Sequence, residues 1–184
     1  MQKFKFLFLI LSLFLLSCED DDSEKAIDLS VEGKTFELSS FILSESVDLN
    51  NDGVFTTDVC DEDGDCYYQI SFSDGGTVKH PAAVSYHFRV EENSNGELEQ
   101  NFRCGHWDHY FPTWKLDNNT VSIIYDNEVD LEGTITDDGQ TITFDVPIEK
   151  SPFLSDGSYR SILTESGDVI EYEDSMKMIY TLSN

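Results

Sequence analysis

Positive charge is scarce in this chain. Only 11 Lys and Arg stand against 37 Asp and Glu over 184 residues, a formal net charge of −26. Nucleic acid is excluded as a partner, because no basic patch exists to displace the counterions of a phosphate backbone. Four prolines and 11 glycines are too few for a low-complexity linker, and 39% hydrophobic with 12% aromatic residues is richer than a disordered acidic tail carries. Catalytic signatures are missing too: there is no Gly-x-Ser-x-Gly, no phosphate loop and no dinucleotide fingerprint. Carboxylates are so abundant that no pair stands out as an acid/base dyad, so the sequence points away from an enzyme. Beyond the first residues no stretch carries a 3.6-residue apolar repeat, which argues against a helical domain. At roughly 100–200 residues per domain, the length allows one globular unit.

The one long apolar run is at the N-terminus. A short basic segment with Lys3 and Lys5 precedes Phe6 to Leu16, almost unbroken Leu, Ile and Phe. That run is shorter than the ~20 residues a membrane-spanning helix needs and has the form of the apolar region of a secretory signal. It ends in Leu15-Leu16-Ser17-Cys18, which resembles the lipobox of bacterial lipoproteins. The resemblance implies that residues 1–17 are removed and that Cys18 becomes an acylated N-terminus. Glu19-Asp20-Asp21-Asp22 follows directly and is similar to the acidic signal that sends lipoproteins of one Gram-negative phylum to the cell surface; its bland reading is a solvated tether. The expected location is the outer membrane, facing outward, with the membrane itself as a partner through the lipid. Removing residues 1–17 takes away two lysines and no acid, so the mature charge is −28 against −26 for the whole chain. Such a body is repelled by anionic headgroups, and only acyl chains would hold it at the bilayer.

Residues 18–26 form the lipidated Cys and an acidic tether, and residues 27–184 are expected to fold as one domain. Its pattern is β throughout. Tyr68, Ile70 and Phe72 alternate with polar neighbours, as do Val84, Tyr86, Phe88 and Val90; Val121, Ile123 and Tyr125; Ile142, Phe144 and Val146; and Met176, Met178, Tyr180 and Leu182. Period-2 alternation places one face inside and one in water. Turn signals fall between the runs at 73–76, 93–96, 117–119, 137–139 and 155–157. Short strands at this spacing close into an antiparallel barrel or stack as a sandwich.

Asp48-Leu-Asn50-Asn-Asp52-Gly53-Val54-Phe-Thr56-Thr-Asp58 matches the first half of a calcium loop, with hard oxygens at positions 1, 3 and 5 and Gly at 6. Val54 offers a carbonyl and Thr56 a hydroxyl. Val59 occupies the twelfth place where a carboxylate is expected, so closure falls to Asp58, one residue early. The alternative is an Asx-rich turn without an ion. A second cluster, Cys104-Gly-His106-Trp107-Asp108-His109-Tyr110, with His80 or His87 nearby, lacks the helical spacing of a zinc hydrolase and reads as a polar, aromatic loop at a barrel rim. Trp107, Tyr110 and Trp114 either rim a ligand mouth there, or Trp114 seals the core while Trp107 stays partly exposed.

Cys66-Tyr-Tyr-Gln-Ile-Ser-Phe-Ser-Asp-Gly-Gly, then Phe102-Arg-Cys104, then Thr113-Trp114-Lys-Leu-Asp-Asn-Asn-Thr-Val-Ser-Ile resembles bacterial lipocalin-like domains over roughly residues 30–146. The resemblance implies an up-and-down barrel of about eight strands. The Gly-x-Trp-x-Leu hallmark is replaced by Gly33-Lys34-Thr35-Phe36-Glu37-Leu38, with Phe36 where the barrel floor carries Trp. The family pattern would also join Cys66 to Cys104. A local Cys60–Cys66 bridge around an acidic loop, or free thiols throughout, remain open. Two functions follow. One is a surface-anchored, non-enzymatic binder of a small apolar or amphipathic ligand, or a carbohydrate, at the barrel mouth. The other is a structural or interaction lipoprotein with a filled barrel that docks a protein partner. An eight-stranded barrel is wide enough for either, so interior volume discriminates.

Overall fold

The computed structural model describes residues 29–62, 69–79, 84–106, 112–147 and 160–183, with backbone alone for 84–86 and 104–106. Among these residues, thirteen strands and one helical turn follow in chain order. They are β1 (Thr35–Val47), β2 (Thr56–Asp58), α1 (Val59–Glu62), β3 (Gln69–Phe72), β4 (Val78–Lys79), β5 (Val84–Glu92) and β6 (Leu98–His106). Then come β7 (Thr113–Asp117), β8 (Thr120–Tyr125), β9 (Glu128–Ile135), β10 (Thr141–Val146), β11 (Ser161–Leu163), β12 (Val169–Glu171) and β13 (Met176–Leu182).

Eight strands make a ring in chain order, β1–β3–β4–β7–β8–β9–β10–β13, and β13 pairs back onto β1. The seam between β4 and β7 is closed by a Thr77–Thr113 bridge. Val78 N donates there to Pro112 O at 2.9 Å, and Trp114 N to Gly76 O at 3.1 Å. Each neighbouring pair is antiparallel, so this is the up-and-down barrel expected from the sequence, and its near closure leaves little of the exposed edge that an open sheet carries. Two hairpins, β5–β6 and β11–β12, are excursions from the β4–β7 and β10–β13 connections. β2 lies along β1 outside the ring.

Turn chemistry sets the strand ends. Gly139 (φ 68°) and Asn118 (φ 55°) hold the left-handed conformations that the β9–β10 and β7–β8 turns require. In β1 the register shifts between Leu38 and Ser40. This bulge changes the parity of the inward set from Phe36 and Leu38 to Phe41 and Leu43, and lets a 13-residue strand bend around the barrel.

The inward face is packed with large side chains. Phe36, Phe41, Phe72, Phe144, Ile70, Ile123, Ile135, Ile142 and Tyr180 are all fully buried. Phe36 stands edge-on to Phe72 with ring centroids 6.0 Å apart, and Phe72 edge-on to Trp114 at 5.5 Å. Phe144 meets Tyr180 edge-on at 5.9 Å. Such pairs contribute roughly 0.5–1.5 kcal/mol each beyond area burial. Gly133 on β9 faces Phe144 across the ladder, and a Cβ there would lie 2.5 Å from the Phe144 ring. The bare backbone of Gly133 makes the space that the ring occupies.

Candidate metal centre and cleft

The Asp48 loop leaves the end of β1 with Asp48 and Leu49 buried. Asp48 Oδ1 accepts from Asp52 N at 3.0 Å, and its Oδ2 from Gly53 N at 2.8 Å. Asn50 Oδ1 also accepts from Asp52 N (2.9 Å), and Asp52 Oδ1 from Val54 N (2.8 Å). Gly53 has φ 87°, the left-handed turn that position six of such a loop demands. The result is a curled loop with its carboxylates drawn together.

The third carboxylate comes from Glu62 on α1, which no motif in the sequence marks. One ligand oxygen from each of Asp48, Asp52 and Glu62 lies within 4.8 Å of the others. Oxygens at that separation can share one ion through bonds of about 2.3–2.6 Å, the calcium range, whereas magnesium's ~2.0–2.1 Å bonds would need the site to contract. Glu62 Oε2 is buried with no hydrogen-bond partner among the described residues. Burial first, then the Asp52 charge and more weakly Asp48, push the Glu62 pKa up; N–H groups of Asn50 and Leu49 that donate to the carboxylate pull it down less. A folded-state pKa above the unfolded value means the proton binds more tightly in the folded barrel. The stability from this group is therefore complete below the ordinary glutamate range and is lost as pH rises through the raised value. At neutral pH the ionised Glu62 therefore opposes folding, and a cation beside it would offset that cost.

Asp58 does not close the loop. Its Oδ1 accepts from Phe41 N at 2.9 Å and Cys60 N at 3.1 Å, and Ser40 Oγ donates to its Oδ2. It is the N-cap of α1 and a tie to β1, so its oxygens are committed away from Asp48 and Asp52. Thr56 Oγ1 accepts from Asp58 N at 3.1 Å, and the Val54 side chain is exposed. Of the residues expected to ligate, Asp48 and Asp52 are brought together with Glu62, while Asn50 supports the turn.

Asn51 clamps the loop to β6: its Nδ2 donates to Gln100 O (3.1 Å), and Gln100 N donates to its Oδ1 (3.0 Å). Gln100 is almost fully buried. Its Nε2 reaches Ser161 O at 3.2 Å, and Leu163 N donates to its Oε1 at 2.8 Å. Gln100 thus joins three elements, its backbone in β6 holding the Asp48 loop and its buried side-chain amide holding β11.

Among the other expected sites, Trp114 packs against Phe72 as part of the core. Trp107 and Tyr110, like His80, Asp108 and His109, lie outside the described residues. Cys60 is a free, half-buried thiol, so no Cys60–Cys66 bridge is formed. Burial, with Asp58 beside it, pushes its pKa up to about 12, which removes it as a nucleophile. Cys66 and the Cys104 side chain lie outside the described residues, as do Cys18 and Glu19 to Asp22. No helix among the described residues is long and apolar enough to cross a membrane.

Two clefts lined by described residues are polar and open to solvent. One, of about 270 Å³, lies on the outer face of β5–β6 between His87, Arg89, Glu91, Asn101 and Arg103. The other, of about 330 Å³, is lined by Val129 to Glu132, Asp145 and Pro147. No protein-family model, curated protein or solved structure matched this chain.

Proposed function

We propose that this chain is a non-enzymatic lipoprotein, anchored to the outer membrane through Cys18 and displayed on the cell surface, whose barrel is a solid scaffold that recognises its partner with its outer surface. The packed inward face carries this reading. Phe36, Phe72 and Trp114 pack in one chain of edge-on rings and Phe144 with Tyr180 in another, where a ligand chamber would need space. That supports the filled-barrel alternative over a binder with an apolar ligand inside. A Cys66–Cys104 bridge fits the scaffold role and leaves Cys60 as the odd thiol.

Surface display is tested on the tether. Replacing Glu19 to Asp22 with Ala or Ser is expected to preserve acylation and membrane association while sharply reducing cleavage by protease added to intact cells. Unchanged cleavage would remove the export role of the tetrad.

Calcium at Asp48, Asp52 and Glu62 belongs to the same proposal, as a device that stiffens the loop outside the cell. At ~1 mM calcium and a Kd of ~0.1 mM, binding to the folded state alone adds about 1.4 kcal/mol. The expected rise in Tm is roughly 3–5 °C for a domain of this size. Magnesium at equal ionic strength controls for screening of so acidic a protein. Glu62→Gln makes the sharper test, because it removes the repulsion and leaves only a neutral carbonyl oxygen in place of a charged ligand. The variant should be more stable than the wild type without calcium at neutral pH, and should no longer respond to calcium. A calcium shift that survives in the variant would show that the loop is only a turn.

A further inference from the structure

Two of the chain's three arginines lie on the outward face of the β5–β6 hairpin. The register sets His87 opposite Arg103 and Arg89 opposite Asn101, while Phe88 and Phe102 turn inward and pack ring on ring at 5.0 Å. In a chain of net charge −26, two guanidinium groups on adjacent diagonal positions repel one another and meet no shortage of acids elsewhere. Here they share a cleft of about 270 Å³ with a single carboxylate among the described residues. That carboxylate, Glu91, takes Arg89 Nη1 on Oε1 at 3.0 Å and Asn101 Nδ2 on Oε2 at 3.2 Å, so it fixes two of the wall's donors. Among the described residues Arg103 forms no ion pair.

We propose that this cleft binds the carboxylate of an acidic sugar, a uronic acid unit, with Arg103 as the principal anion contact. The charge balance favours a single negative charge. Two guanidinium groups against the lining carboxylate, Glu91, leave one positive charge, which matches a monocarboxylate and is exceeded by a phosphate dianion. The planar guanidinium of Arg103 suits a carboxylate through two parallel hydrogen bonds. Glu91 keeps acceptor capacity that sugar hydroxyls can use, and Asn101 and His87 supply further polar edges. The volume lies just under the ~300–1,000 Å³ of sites for drug-sized ligands, so one sugar ring rather than a longer segment occupies it. This inference rests on the outward-acting barrel only in placing recognition on the outer surface.

Titration calorimetry of the full-length acylated protein in non-ionic detergent tests it, with D-galacturonate and D-glucuronate as probes and D-galactose and inorganic phosphate as controls. The expected result is saturable binding of at least one uronate near ~1 mM, with no heat from galactose and none from phosphate beyond its ionic-strength effect. Arg103→Gln should weaken uronate binding by at least about tenfold at an unchanged Tm, since the side chain is exposed. Equal binding of phosphate would assign the cleft to simple anions and overturn the proposal. Absence of uronate binding, or full binding by the Arg103 variant, would overturn it as well. A barrel that held an apolar ligand inside would defeat the scaffold reading and leave these outcomes unaffected.

Discussion

Phe144→Ala is expected to destabilise the barrel by about 3–5 kcal/mol in denaturant titration, with little change in the denaturant slope. Phe144 is fully buried on β10, stands edge-on to Tyr180, and covers the bare backbone of Gly133. Deleting the ring leaves a cavity against a residue with no side chain to relax into it, which puts the cost at the upper end for aromatic truncations. Gly133→Ala approaches the same contact from the other side. Its Cβ would sit 2.5 Å from a buried ring, so overpacking should cost about 1–3 kcal/mol or more. The two substitutions should be strongly non-additive, because the methyl added at Gly133 is tolerated once the ring is gone. A loss below ~1 kcal/mol for Phe144→Ala would mean that the inward face has slack, as a hollow barrel would.

Cys18→Ala is expected to abolish acylation and to remove the protein from the outer-membrane fraction. The thermodynamics are one-sided. Each buried acyl CH2 contributes about 0.8 kcal/mol to membrane binding, and a body carrying −28 after signal removal is repelled by anionic headgroups. Nothing else in the mature sequence is apolar enough to replace the lipid. Co-fractionation of the variant with outer membranes after a high-salt wash would contradict the anchor.

The ring of strands was legible where period-2 alternation ran unbroken, as in β10 and β13, whereas in β8 a register shift between Ile123 and Ile124 turns Tyr125 out to solvent and off the inward face it was expected to share with Val121 and Ile123. It was not legible in β1, although that is the longest strand, because the bulge at Leu38–Ser40 switches inward parity midway. In β9, Gly133 interrupts the apolar row, and its partner Phe144 supplies the missing volume from another strand. The candidate metal site shows the same limit of local pattern. Asp48 and Asp52 could be read from spacing, but Glu62 lies beyond the twelve-residue template and is folded back by α1. Asp58 sits nearer the expected position and is taken by the helix N-cap. Gln100 shares a face with Phe102 in β6, and a polar side chain at an inward position was the one sign that it joins three elements.

Native mass spectrometry of the protein purified from its own envelope in mild detergent tests the filled barrel most directly. A packed scaffold predicts the mass of the acylated chain, with at most calcium added and no stoichiometric apolar small molecule. A one-to-one lipid or other apolar ligand that persists beyond the covalent anchor, and survives detergent exchange, would contradict it.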